Sequence, residues 1–134
     1  MFDEGRGNSG DVAIAAKPVG RRNSLDRELA LSRVGGDLEL LQEIGLLFLS
    51  DSERMLREIE KAVTARDAKA IDRAAHMLKG CVSNFGAQHL YDASLALERM
   101  GRSGDLSNME PAFQVLKAEI GQLECDLRAL TARN

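Results

Sequence analysis

Tryptophan is absent from this 134-residue chain, tyrosine occurs once, and proline, cysteine and histidine occur twice each. The two cysteines, Cys81 and Cys125, form no C-x-x-C pair and have no histidine at zinc spacing, so neither a disulfide framework nor a common structural zinc site is indicated. Lone thiols of this kind fit a reducing compartment and side chains that are buried or half-buried. Residues that favour strands are scarce: Val, Ile and Thr together number thirteen, against nineteen Leu, seventeen Ala and five Met. That balance predicts an all-α fold. The prolines, Pro18 and Pro111, leave the long stretch between them without a helix breaker. Long hydrophobic runs are also missing. The longest, Ile44 to Leu49, contains a glycine and falls far short of the roughly 20 residues a spanning helix needs. The acidic start Met1-Phe2-Asp3-Glu4-Gly5 carries no export signal, so a cytoplasmic location is expected, with no membrane partner. Positive charge is not in excess either, with 18 Lys and Arg against 21 Asp and Glu and a net charge of −3. Nucleic acid is therefore not an expected partner, because no domain-wide basic surface is available to neutralise phosphates.

What the chain does contain is one domain's worth of helical punctuation. Residues 1–23 hold four glycines, a proline and the basic cluster Lys17, Arg21 and Arg22 without a sustained apolar period, and read as a flexible tail or linker. Residues 24–134 read as the folded domain. Ser24 is a candidate cap for a short helix bearing Leu25, Leu29 and Val34, closed by Gly35-Gly36. Asp37 caps the next, whose stripe Leu41, Gly45, Phe48, Ser52, Met55, Ile59, Ala62 and Val63 runs to about Arg66. A third pattern runs from about Ala68 to Phe85 and ends at Gly86. A fourth, with Leu90, Ala93, Ser94, Leu97 and Met100, ends at Gly101 and the turn residues Ser103-Gly104-Asp105. In the last, Met109, Phe113, Leu116, Ile120, Leu123, Leu127 and Leu130 alternate steps of four and three, the seam of a shallow-angle bundle. The expected architecture is an up-down-up-down four-helix bundle preceded by a short N-terminal helix.

One helix face is unusual. On a wheel of 100° per residue, Asp72, Lys79, Gly80 and Ser83 lie within about 60° of His76, with the apolar stripe on the other side. His76 is thus predicted to face solvent. Gly80, one turn on, costs an exposed helix about 1 kcal/mol relative to alanine, and that loss is intelligible where another molecule must approach the backbone. Lys79 supplies a cation to attract an anion arriving at the ring. An exposed imidazole with an access gap and local positive charge suits phosphoryl transfer through a covalent carrier. If Gly86-Ala87 turns the chain between antiparallel helices, His76 and Glu98 stand eleven residues either side of Ala87 and so at one height. Glu98 is then placed to accept a hydrogen bond from one ring nitrogen and free the other. Arg102, one turn further, reads either as more positive charge at the rim or as a plain helix-end cation.

These residues resemble a known family. His76-Met77-Leu78-Lys79-Gly80, followed by Gly86-Ala87, is similar to the H-x-L-K-G-x-x-x-x-x-G-A signature of histidine-containing phosphotransfer (HPt) domains. The resemblance extends from Leu25 to about Leu130. It takes in Val34-Gly35-Gly36-Asp37, Phe48-Leu49, Arg66-Asp67, Ala74-Ala75, Leu97-Glu98 and Gly104-Asp105, with Cys81 and Val82 standing where the family often has small residues. It implies that His76 is the phosphoacceptor, that Lys79 stabilises the phosphoryl group, that Gly80 and Ser83 let a receiver domain dock, and that Glu98 bonds the ring. It also implies a carrier with no kinase activity and no cofactor of its own, magnesium residing in the partner receiver. The partners implied are receiver domains of response regulators, a hybrid sensor histidine kinase, or both, and the carrier is expected to be a monomer, free-standing or a module of such a kinase.

Two rival readings are weighed against it. A di-iron bundle needs Glu-x-x-His pairs, but Arg73 and Gly86 occupy the positions three before His76 and His89. His89 therefore reads as a surface or capping residue, and no metal is expected. The other rival is a helical interaction adaptor whose histidine is unused.

Overall fold

Three aspartates start three of the helices. Asp26, Asp37 and Asp67 each accept a hydrogen bond from the backbone N–H three residues on, at 3.1, 3.1 and 3.2 Å. They satisfy donors that a helix start leaves unpaired. The helices so begun are α1 (Arg27–Arg33), α2 (Leu38–Ala65) and α3 (Ala68–Val82), followed by α4 (Gln88–Ser103) and α5 (Met109–Thr131). The computed structural model describes residues 24–132, so the predicted tail, residues 1–23, lies outside the described residues. Pro111 sits in the first turn of α5, where its missing N–H costs nothing.

The four long helices close a ring, α2 against α3, α3 against α4, α4 against α5 and α5 back against α2. All seven seam residues of α5, from Met109 to Leu130, are buried, each worth about 1.5–3 kcal/mol relative to exposure if fully enclosed. The short α1 lies across the end of the bundle at the α3–α4 turn and touches α2. The described residues thus form the all-α, up-down-up-down bundle with a short N-terminal helix that the apolar periods predicted.

Four local expectations are corrected. Asp26, not Ser24, caps α1. Ser24 is buried instead, and its backbone N–H donates to Asp126 Oδ2 at 2.6 Å. The third pattern is α-helical only to Val82, tightening to a 3₁₀ turn over Ser83–Phe85 before Gly86 reverses the chain at φ +60°. The α4 helix continues through Gly101 to Ser103 and is closed by Gly104 at φ +81°. Gly101 is where two helices touch: a Cβ there would lie 2.5 Å from the Asp72 backbone N and 2.6 Å from the Ala68 backbone O. Finally, Cys81 is half-buried as expected but Cys125 is exposed, since it falls on the outward side of α5. Among the described residues no helix is long and apolar enough to cross a membrane. No group of three or more possible metal ligands occurs among them either.

Candidate functional site

The α3 helix buries Ile71, Ala75, Leu78 and Val82, which turns His76 outward halfway along its length. The His76 side chain is 68% exposed, whereas that of Glu98, facing it from α4, is only 2% exposed. The two are joined, His76 Nδ1 standing 2.6 Å from Glu98 Oε2. The close α3–α4 approach at Gly101, three residues beyond Glu98, brings the carboxylate within this reach.

A buried carboxylate without partners is strongly disfavoured. Glu98 has three. Lys79 Nζ donates to Oε1 at 2.8 Å, and Arg102 Nη2 donates to Oε2 at 3.1 Å, alongside the His76 nitrogen. The Lys79 hydrogen bond, opposed by burial and reinforced by the His76 hydrogen bond, lowers the Glu98 pKa from 4.5 to about 2. An ionised carboxylate can only accept, so in the neutral ring Nδ1 carries the proton and Nε2 presents its lone pair to solvent.

Around this core the other predicted residues are distributed unevenly. Arg102 also reaches Asp72 Oδ1 at 3.4 Å, so it bridges α3 and α4 and is more than a helix-end cation. Lys79 was expected on the flank of the ring, as a cation for an arriving anion. Its side chain is only 19% exposed, bonded to Glu98, with the ammonium 5.8 Å from the centre of the Tyr91 ring. Gly80 is exposed, and a Cβ built on it meets nothing within 4 Å, which leaves the turn beside His76 bare. Ser83 stands outside the hydrogen-bonded cluster. Its hydroxyl donates back to the Gly80 carbonyl at 2.8 Å, and its own carbonyl accepts from Arg33 at 2.5 Å. His89 is exposed at the start of α4.

Two members of the cluster were given no role from the sequence. Tyr91, against Lys79, lies seven residues before Glu98 and hence on the same face of α4, a spacing that contained the signal. Asp72 lies one turn before His76 on α3, but its pairing across to Arg102 depends on the distance between helices. Met77, 62% exposed, adds an apolar surface beside the ring.

Comparison with known proteins places the family and the fold. Residues 43–125 match the family model described as Hpt domain. The crystal structure of histidine-containing phosphotransfer protein B (HptB) from Pseudomonas aeruginosa PAO1 superposes with a TM-score of 0.73 at 27% identity, covering 79% of this chain and 92% of that one. The HPT domain from the Hpt sensor hybrid histidine kinase from Shewanella superposes with a TM-score of 0.72 at 18% identity, over 80% and 92%. No curated protein sequence matches the chain.

Proposed function

This chain belongs to the Hpt domain family, with a phosphotransfer role in two-component signalling, and from that premise we propose that His76 is the residue that carries the phosphoryl group. The observation that carries the reading is the pairing of an exposed ring with a buried, ionised carboxylate 2.6 Å from Nδ1. With its proton held on Nδ1, the ring attacks phosphorus through the Nε2 lone pair. In transfer from a receiver-domain aspartyl phosphate, the Nε2–P bond forms and the P–O bond breaks, the electron pair leaving with the aspartate carboxylate. The positive charge that develops on the ring is stabilised by Glu98. The reverse step, at the aspartate of a response regulator, discharges the carrier. A histidine kinase is the other donor this chemistry admits.

In this reading Lys79 and Arg102 supply positive charge to the arriving group, and Glu98 holds the ring in its reactive tautomer. Gly80 and Ser83 border the bare turn on which a receiver domain docks. The chain supplies no kinase chemistry and no cofactor, magnesium being the receiver's contribution. It acts as a monomeric cytoplasmic carrier built on residues 24–134, either free-standing or as a module of a hybrid kinase.

Incubation with a phosphorylated receiver domain tests the assignment. An acid-labile, alkali-stable phosphate is expected on the wild type and not on His76→Gln. Label that survives that substitution would refute it, and no label on either protein would favour an adaptor with an unused histidine.

A further inference from the structure

The hydrogen-bonded cluster at Glu98 contains two cations, Lys79 and Arg102, and two carboxylates, Glu98 and Asp72. With the ring neutral, these charges cancel. Of the four, Asp72 has no part in the function proposed above. It stands one turn before His76 on α3 with its side chain 31% exposed, and its Oδ1 lies 3.4 Å from Arg102 Nη2. The same nitrogen reaches Glu98 Oε2 at 3.1 Å. Arg102 is otherwise free to move, its side chain being 64% exposed on a long flexible stem, so the two carboxylates decide where its guanidinium rests. Asp72 and Arg102 can meet because α3 and α4 touch at the neighbouring Gly101, where an added Cβ would fall 2.5 Å from the Asp72 backbone N.

We propose that Asp72 is a positioning residue that sets how tightly the carrier holds its phosphoryl group, by keeping Arg102 on Glu98 and cancelling one of the cluster's positive charges. The inference rests on the reading of His76 as phosphoacceptor. A phosphoryl group on Nε2 adds close to two negative charges and competes with Asp72 for the guanidinium, a group shaped to bind phosphate. A carrier must release what it accepts. With Asp72 in place the competition is balanced, and phosphohistidine is not over-stabilised relative to the aspartyl phosphate that precedes or follows it. Without the Asp72 charge, Arg102 is free for the phosphoryl oxygens and the cluster holds one positive charge in excess.

The test uses phosphoramidate, which labels an accessible histidine without any partner protein: the N–P bond to the ring forms as the donor's P–N bond breaks and ammonia leaves. The half-life of the label is followed by intact mass, and its equilibrium with a receiver aspartate by quantitative gel analysis. Asp72→Asn is expected to lengthen the half-life about two- to fivefold and to shift the equilibrium toward His76 by a similar factor, the range of a partly exposed ion pair. The effect shrinks at about 1 M salt. Asp72→Glu restores values near wild type, and in an Arg102→Gln background Asp72→Asn changes nothing. Wild-type half-life and equilibrium in Asp72→Asn, or an undiminished effect without Arg102, would overturn the inference. Absence of label from His76 in the wild type removes the phosphoacceptor reading and the inference together. Label that is present but indifferent to Asp72 removes the inference alone.

Discussion

Gly80 and Gly101 stand in opposite relations to the space around them. A Cβ on Gly80 meets nothing within 4 Å, whereas one on Gly101 would lie 2.5 Å from the Asp72 backbone N. Both are glycines inside helices that pack on each other, α3 and α4. Only Gly101 is required by the bundle. Gly80 costs the bundle stability without any packing return, so its use is sought in contact with another molecule.

Replacing Gly80 should therefore separate stability from function. Gly80→Gln is expected to raise the free energy of unfolding by about 0.5–1 kcal/mol, the helix-propensity gain at an exposed position. The same substitution crowds the turn beside His76 and slows transfer from a phosphorylated receiver. Chemical denaturation and rapid-quench transfer kinetics on one preparation check both halves. A stabilised variant with wild-type transfer rates would contradict the docking role.

Gly101→Ala is expected to do the reverse. Its methyl group meets backbone atoms of Ala68 and Asp72 that cannot rotate away, so α4 must shift from α3. Overpacking of this kind costs about 1–3 kcal/mol. Because Glu98 rides on the same helix, the His76–Glu98 contact loosens with it. Urea melts report the first effect, and the nitrogen chemical shifts of the His76 ring report the second.

Glu98 makes acid stability depend on the site. Its carboxyl is held at about 2 in the folded chain against an ordinary 4.5, chiefly by the Lys79 hydrogen bond. As pH falls below 4.5 the unfolded chain takes up a proton at this position that the folded chain refuses until about pH 2. The stabilising contribution is therefore complete above 4.5 and is lost progressively as pH falls toward 2. Glu98→Gln should be less stable at neutral pH, with Lys79 left without its partner, and its unfolding free energy should fall less steeply across that acid window. Denaturant midpoints measured at intervals from neutral to strongly acidic pH give the comparison. Parallel curves for the two proteins would contradict the assignment.

A second carboxylate holds the short helix in place. Asp126 Oδ2 accepts the backbone N–H groups of Ser24 at 2.6 Å and Leu25 at 3.0 Å, and Gln122 donates to Oδ1 at 3.0 Å. Asp126→Ala should cost about 1.5–3 kcal/mol, the range for hydrogen bonds to a charged group. The loss should be local to α1. Amide exchange at Ala30, whose N–H bonds Asp26, is expected to accelerate far more than exchange at Ile120 in the α5 seam. Equal acceleration at both would mean that α1 does not open separately from the bundle.

How much of this was legible in the sequence varies by residue, for physical reasons. The α5 seam was readable because burial on one side of a helix imposes a period on the sequence itself. Glu98 was readable through the symmetry of a hairpin, since residues equidistant from a tight turn share a height. Gly101 was misread as a helix end, because glycine marks both termination and close approach, and only neighbouring backbone distinguishes them. Ser24 and Asp26 are both good caps by residue type, and the role falls to Asp26, whose side chain accepts the Leu29 N–H. Lys79 was placed on the correct flank of α3, but a wheel shows direction and not the partner that a long side chain reaches.

The sequence by itself determined the helical fold, the order of its helices and the outward placement of His76, because each follows from periodicity, caps and turn residues acting within a few positions of one another. Only the tertiary structure decided what meets at Glu98. The engagement of Lys79, the bridging of Arg102 to Asp72 and the proton on Nδ1 all depend on how closely α3 and α4 approach and on how fully the carboxylate is buried. Both are properties of two packed helices, and neither can be read from one.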